Sequence, residues 1–192
     1  MTMTCTKAIQ EWEARTGQRA AEASEVKLIC WNPPINKMDQ GLSQLINCRK
    51  LSLSTNSIEK IMNLSNLRSL EILSIGRNQI RKISGLDEVG GTLKELWISY
   101  NLIEKLDGLQ NCVRLTTLFV SNNKIKNWEE INRLNQLQEL RNVLLSGNPI
   151  YDSFQNKDDA RPMVIKRCPH IEVLDGAIVS DQVRKQAEEL RD

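Results

Sequence analysis

The chain has 192 residues, a formal net charge of +2 and 40% hydrophobic residues, enough for one substantial core but without the basic excess that nucleic-acid or membrane binding needs. A single histidine, His170, leaves little room for histidine-based acid–base or metal chemistry, and the five cysteines at 5, 30, 48, 112 and 168 contain no C-x-x-C pair. The opening residues, MTMTCTKAIQEWE, carry charges where a signal peptide needs an apolar core, and no run approaches about 18 apolar residues, so a soluble cytosolic protein with reduced thiols is expected.

From Thr6 to about Arg15 the helical period is present, with Ala8, Ile9 and Trp12 on one side and Gln10, Glu11 and Glu13 on the other. Thr6 is the expected cap and Gly17 follows the end. Residues 1–25 are read as an N-terminal helical cap, because a repeat array begins directly after them and the apolar end of its first coil must be covered.

The repeat is plainest at 93–109, LKELWISYNLIEKLDGL. Aligned on Asn56, Asn78, Asn101, Asn123 and Asn148, the copies recur at intervals of 22, 23, 22 and 25 residues. Three residues before each asparagine stand Leu53, Ile75, Ile98, Val120 and Leu145; five before stand Leu51, Leu73, Leu96, Leu118 and Val143; two after stands an isoleucine in every copy. These are leucine-rich repeats, and the fold class is an α/β solenoid with a 22-residue period and a parallel sheet on its concave side. The asparagine amides are assigned a structural role, pairing backbone groups of neighbouring coils.

The repeat region is taken as 26–160. Its first copy is degenerate: Val26, Leu28, Ile35, Met38 and Leu42 supply apolar positions, while Pro33 and Pro34 replace the asparagine region. Trp128 stands where the other copies carry Ile or Leu and is expected in the core, followed by a helical turn to Leu134. Tyr151 to Arg161 reads as an exposed polar loop. Residues 161–178 form a C-terminal cap of a short helix, a proline break and a strand-like I-E-V-L-D-G, and 179–192 a tail helix capped by Ser180. Its apolar stripe, Val183, Ala187 and Leu190, is narrow, so the tail is expected to project or pack loosely.

Between the buried strand positions of each copy lies an outward one, occupied by Ser52, Ser74, Trp97, Phe119 and Leu144. Stacking places three large apolar side chains together on a water-facing sheet, which is unusual unless another surface covers them. Small residues, among them Ser99 and Ser121, flank the row on one side; Ile72 and Glu95 lie on the other, with Arg77 and Tyr100 at its edge. An apolar centre with a polar rim is how protein-binding surfaces are built. At about 25 cal/mol/Å², Trp97 and Phe119 could each contribute at most roughly 4–6 kcal/mol. A flat, rigid row suits a helix of a partner protein, the chain itself being expected to be monomeric. A helix or tail of the same chain folded over the patch is the alternative.

No phosphate-binding glycine loop, nucleophile elbow or zincin motif is present, so neither catalysis nor a cofactor or metal is expected. Arg161, Lys166, Arg167, Arg184 and Lys185 gather near the C-terminal end, where they could meet an acidic surface or remain solvated.

Across about residues 33–176 the segments PPINKMD, LSLSTNSIEKI, LSIGRNQIRKISGLDEV, TLKELWISYNLIEKLDGL, SNNKIKNWEEI and LLSGNPIYD closely resemble the axonemal outer-arm dynein light chain 1 family. The resemblance implies a non-catalytic subunit of the ciliary outer dynein arm, bound to the microtubule-binding domain at the tip of the heavy-chain stalk and close to tubulin. On that reading Trp97, Phe119 and Leu144 hold a helix of the stalk tip, and the tail helix with its basic neighbours lies toward stalk or microtubule. A regulatory subunit of protein phosphatase 1 shares the period but normally carries about twice as many copies. A spliceosomal repeat protein would want a stronger basic face than this chain supplies.

Overall fold

Each regular coil contributes one three-residue strand centred on the apolar residue five before its asparagine. That central side chain points into the core, and its neighbours on either side point out. The computed structural model describes residues 2–191; Met1 and Asp192, the outermost residues of the cap and tail spans, lie outside it. In chain order come β1 (Met3–Thr4), α1 (Cys5–Thr16), β2 (Glu25–Lys27), β3 (Ile35–Lys37), β4 (Lys50–Ser52), β5 (Ile72–Ser74), β6 (Glu95–Trp97) and β7 (Thr117–Phe119). They are followed by α2 (Trp128–Asn132), β8 (Asn142–Leu144), α3 (Arg161–Arg167), β9 (Val173–Leu174), β10 (Ala177–Ile178) and α4 (Asp181–Glu189).

Strands β2, β4, β5, β6, β7, β8 and β9 stack in parallel and in register, and β10 closes the sheet antiparallel to β9. The asparagine ladder holds the coils together. Asn101 Oδ1 accepts from Ile80 N–H at 2.9 Å, while its Nδ2 donates to the Ile75 and Ile98 carbonyls at 3.1 Å. Asn56, Asn78, Asn123 and Asn148 repeat the pattern on their own neighbours. The residue before each asparagine, Thr55, Arg77, Tyr100, Asn122 or Gly147, has left-handed backbone, which turns the chain so that the asparagine enters the core.

Both ends depart from the sequence expectation in instructive ways. The cap of α1 is Thr4, whose hydroxyl accepts from Lys7 N–H; Thr6 lies inside the helix, its N–H and hydroxyl donating to Asp39 at 2.8 Å. Cys5, Ala8, Ile9 and Trp12 are buried against the first coil, and β1 pairs with β3. Trp128 is only half-buried, because the helical turn directs Ile131 and Leu134 inward; its ring meets Phe154 edge-on and carries Arg167 above it. Glu130 goes in instead, accepting from Leu106 N–H and Arg133 Nε.

The 151–161 segment is exposed only in its middle. Tyr151 is buried and donates to Asp175, Ala160 is buried, and Arg161 is 8% exposed. The tail does not project: α4, capped by Ser180, packs on α3 with Ala187 buried, and Arg184 donates to the Pro169 and Ile171 carbonyls.

Candidate functional site

The register of the sheet puts Ser52, Ser74, Trp97, Phe119 and Leu144 directly opposite one another, one per coil, on the concave face. Trp97 and Phe119 stack, ring centroids 5.6 Å apart at 28°. Trp97 remains 40% exposed despite that contact, and Phe119 and Leu144 are half-buried. The indole N–H donates to Glu95 Oε2 at 3.0 Å, which fixes the ring over the sheet while leaving a face open.

The surrounding rows shape the patch. Ser54 bonds Ser74 and Ser121 bonds Ser99 through their hydroxyls, so these small residues satisfy one another; Ser121 is buried rather than open. At the edge Tyr100 is 47% exposed, with the Arg77 guanidinium 4.2 Å from its ring centroid. Ile72 and Glu95 lie half-buried beside the row.

Beside Trp97 the serines leave a groove of about 290 Å³, floored by Ser52, Ser54 and Ser74 and walled by Trp97, Ile72 and Ile29. Ile29 and Lys27 are absent from the sequence-derived site. Their coil has no asparagine to align on, and the register Val26 to Leu51 is what assigns Lys27 to the Trp97 row. The signal available was the Val26–Leu28 alternation, which marks Lys27 as outward. Helix α1 covers the first coil and α4 covers α3, so within the described residues the patch is uncovered.

The basic group near the C-terminus is not one surface. Arg161 turns inward and donates to the Leu174, Ala177 and Ile178 carbonyls, holding the last hairpin. Arg184 is tied to carbonyls as described, Lys166 donates to Leu190, and Arg167 donates to Met163 and covers Trp128. Lys185 is exposed.

Burial pushes the Cys5 and Cys168 thiols up to about 12 and those of Cys48 and Cys112 up to about 11, so all four are protonated and unreactive at neutral pH. Burial lowers the pKa of His170, whose Nε2 is buried without a hydrogen-bond partner, so the ring is neutral. No group of three His, Cys, Asp or Glu side chains that could hold a metal ion occurs among the described residues.

The fold is a leucine-rich-repeat solenoid with an open apolar patch on its concave sheet. The family model described as leucine-rich repeats (2 copies) matches residues 92–133. Dynein axonemal light chain 1 of Xenopus laevis is 48% identical over 97% of this chain and 97% of its own length. The proteins of that name from Chlamydomonas reinhardtii and Homo sapiens are each 48% identical, over 94% and 92% of this chain and 92% and 93% of their own lengths. The chain belongs to the dynein axonemal light chain 1 family. Among solved structures, internalin C2 of Listeria monocytogenes aligns over 60% of this chain and 53% of its own with a TM-score of 0.52 and 29% identity. The Drosophila melanogaster SNF/U2A' complex aligns over 69% of this chain and 75% of its own with a TM-score of 0.57, and at 22% identity that likeness is one of fold.

Proposed function

We propose that the chain is a non-catalytic light chain of outer-arm dynein in the ciliary or flagellar axoneme. It binds the microtubule-binding domain at the tip of the heavy-chain stalk through the concave sheet and modulates how the motor engages its track. The observation that carries this reading is the Trp97–Phe119 stack, exposed on a rigid sheet and left open by both of the chain's own terminal helices. The row through Trp97, Phe119 and Leu144 is straight and one coil per residue, a shape that accepts the apolar stripe of a partner helix. Glu95, Arg77 and Tyr100 form the polar rim on this reading, and Lys166, Arg167 and Lys185 lie nearer the stalk or the microtubule.

Calorimetric titration of recombinant stalk-tip domain into the chain tests it. The wild type binds, and Trp97→Ala with Phe119→Ala weakens binding by about a hundredfold or more, as loss of two central aromatic anchors does. The melting temperature of that double variant stays within about 4 °C of the wild type, since the rings face solvent. Undiminished binding, or collapse of the fold, would remove the patch from this role.

A further inference from the structure

The two edges of the sheet handle charge in opposite ways. Where the chain runs into each strand, successive coils carry Arg49, Glu71, Lys94, the neutral Thr116, Arg141 and Glu172, so that charges in adjacent coils are of opposite sign. The sign alternates and the side chains bridge: Arg49 Nη2 is 2.8 Å and Lys94 Nζ 3.4 Å from Glu71 Oε1, and Arg141 Nε is 3.4 Å from Glu172 Oε1. Where the chain leaves its asparagine, one sign recurs instead. Lys37, Lys60, Lys82 and Lys105 each stand two residues after the isoleucine whose N–H is held by the next coil's asparagine.

Backbone bonds keep these segments in register, with the Ser57, Gln79 and Leu102 N–H groups donating to the Ile35, Ile58 and Ile80 carbonyls. The four lysines therefore form a row, one per coil. All are exposed, and none forms an ion pair among the described residues. Asn127 ends the row in the next coil, but Arg81, Lys124 and Lys126 add exposed positive charge beside it, and a shallow groove of about 380 Å³ runs between two of its coils, walled by Arg81, Lys82 and Lys105 and also by Glu104 and Asp107.

We infer that this lysine ladder is a second interaction surface, separate from the concave patch, and that it takes an extended acidic polypeptide segment laid across the coils. Like charges held at about the 4.8 Å coil spacing repel, so a surface serving only solubility would alternate signs, as the opposite edge does. Alternate residues of an extended chain recur at about 6.6 Å, a mismatch that flexible lysine stems absorb. Glu59 and Glu104 interrupt the row one residue before Lys60 and Lys105. They would oppose a continuous phosphodiester backbone but tolerate a polypeptide with an occasional basic residue, and the row contains no aromatic ring on which a base could stack.

The test is fluorescence anisotropy of a labelled oligoglutamate peptide titrated with the full chain at low ionic strength. The wild type binds, with affinity falling as salt rises. Lys60→Gln, Lys82→Gln and Lys105→Gln together weaken binding by about tenfold or more, the combined effect of three exposed charge contacts. Trp97→Ala with Phe119→Ala leaves oligoglutamate binding unchanged, which separates this surface from the stalk-tip reading. The triple variant melts no lower than the wild type, because it relieves repulsion. Absence of peptide binding, equal binding by the triple variant, or tighter binding of a single-stranded oligonucleotide of equal charge would overturn the proposal.

Discussion

Thr55 occupies left-handed backbone at φ 59, a conformation that costs a β-branched residue about 1–2 kcal/mol and glycine nearly nothing. Gly147 fills the same place in its own coil. Thr55→Gly therefore raises stability by about 0.5–1 kcal/mol in urea denaturation, relief of strain exceeding the added freedom of the unfolded chain. Asn101→Ala acts in the opposite direction. It leaves the buried Ile80 N–H unpaired and strips one of two amide donors from each of the Ile75 and Ile98 carbonyls, which Asn78 and Asn123 still serve, and it lowers stability by about 1–3 kcal/mol, read by the same denaturation. The ladder was legible in the sequence because each asparagine does the same work in the same place, and periodicity exposes such residues. Arg161 and Trp128 were not: the carbonyls of the last hairpin draw one inward, Phe154 and Arg167 flank the other, and nothing periodic announces these contacts.

At the scale of elements, α1 is joined to the solenoid by a titratable bond. Burial raises the Asp39 pKa, but the Thr6 hydroxyl and N–H outweigh it and hold the carboxyl below its ordinary value. A carboxyl with a folded value below its unfolded value of about 3.9 stabilises the fold fully above that pH, and the contribution disappears as pH falls through the folded value. Amide exchange in α1, corrected for the intrinsic pH dependence of exchange, should accelerate below about pH 4 while the central strands hold. In Asp39→Asn the helix should exchange faster at neutral pH and show a flatter acid response; an identical acid profile would remove Asp39 from the coupling. That α1 exists was readable from Ala8, Ile9 and Trp12, but its capping by Thr4 was not, because Thr6 is called away by an aspartate 33 residues distant. The docking of α4 was hidden similarly. Its apolar stripe is narrow, and Arg184 completes the attachment through two carbonyls of the C-terminal cap.

For the whole molecule, a stack of coils in which each touches only its neighbours is most stable at the centre and frays from its ends. Trp97 and Phe119 belong to β6 and β7, with strands on both sides, so the candidate binding face lies in the region least able to open. The location of that face was legible because the repeat fixes which positions point outward. Its extension to Ile29 was not, since the first coil lacks the asparagine that sets the frame. A preformed sheet loses little backbone freedom on association, so binding energy is not consumed in ordering it. Hydrogen exchange should therefore show β5, β6 and β7 as the slowest amides in the free chain, with β2 and the β9–β10 hairpin exchanging first. Addition of stalk-tip domain should leave the slow amides unchanged and slow the ends only modestly. If instead β6 and β7 exchange rapidly alone and become protected on binding, the face is assembled by its partner, and the affinity of the exposed stack must be reckoned against the cost of ordering it.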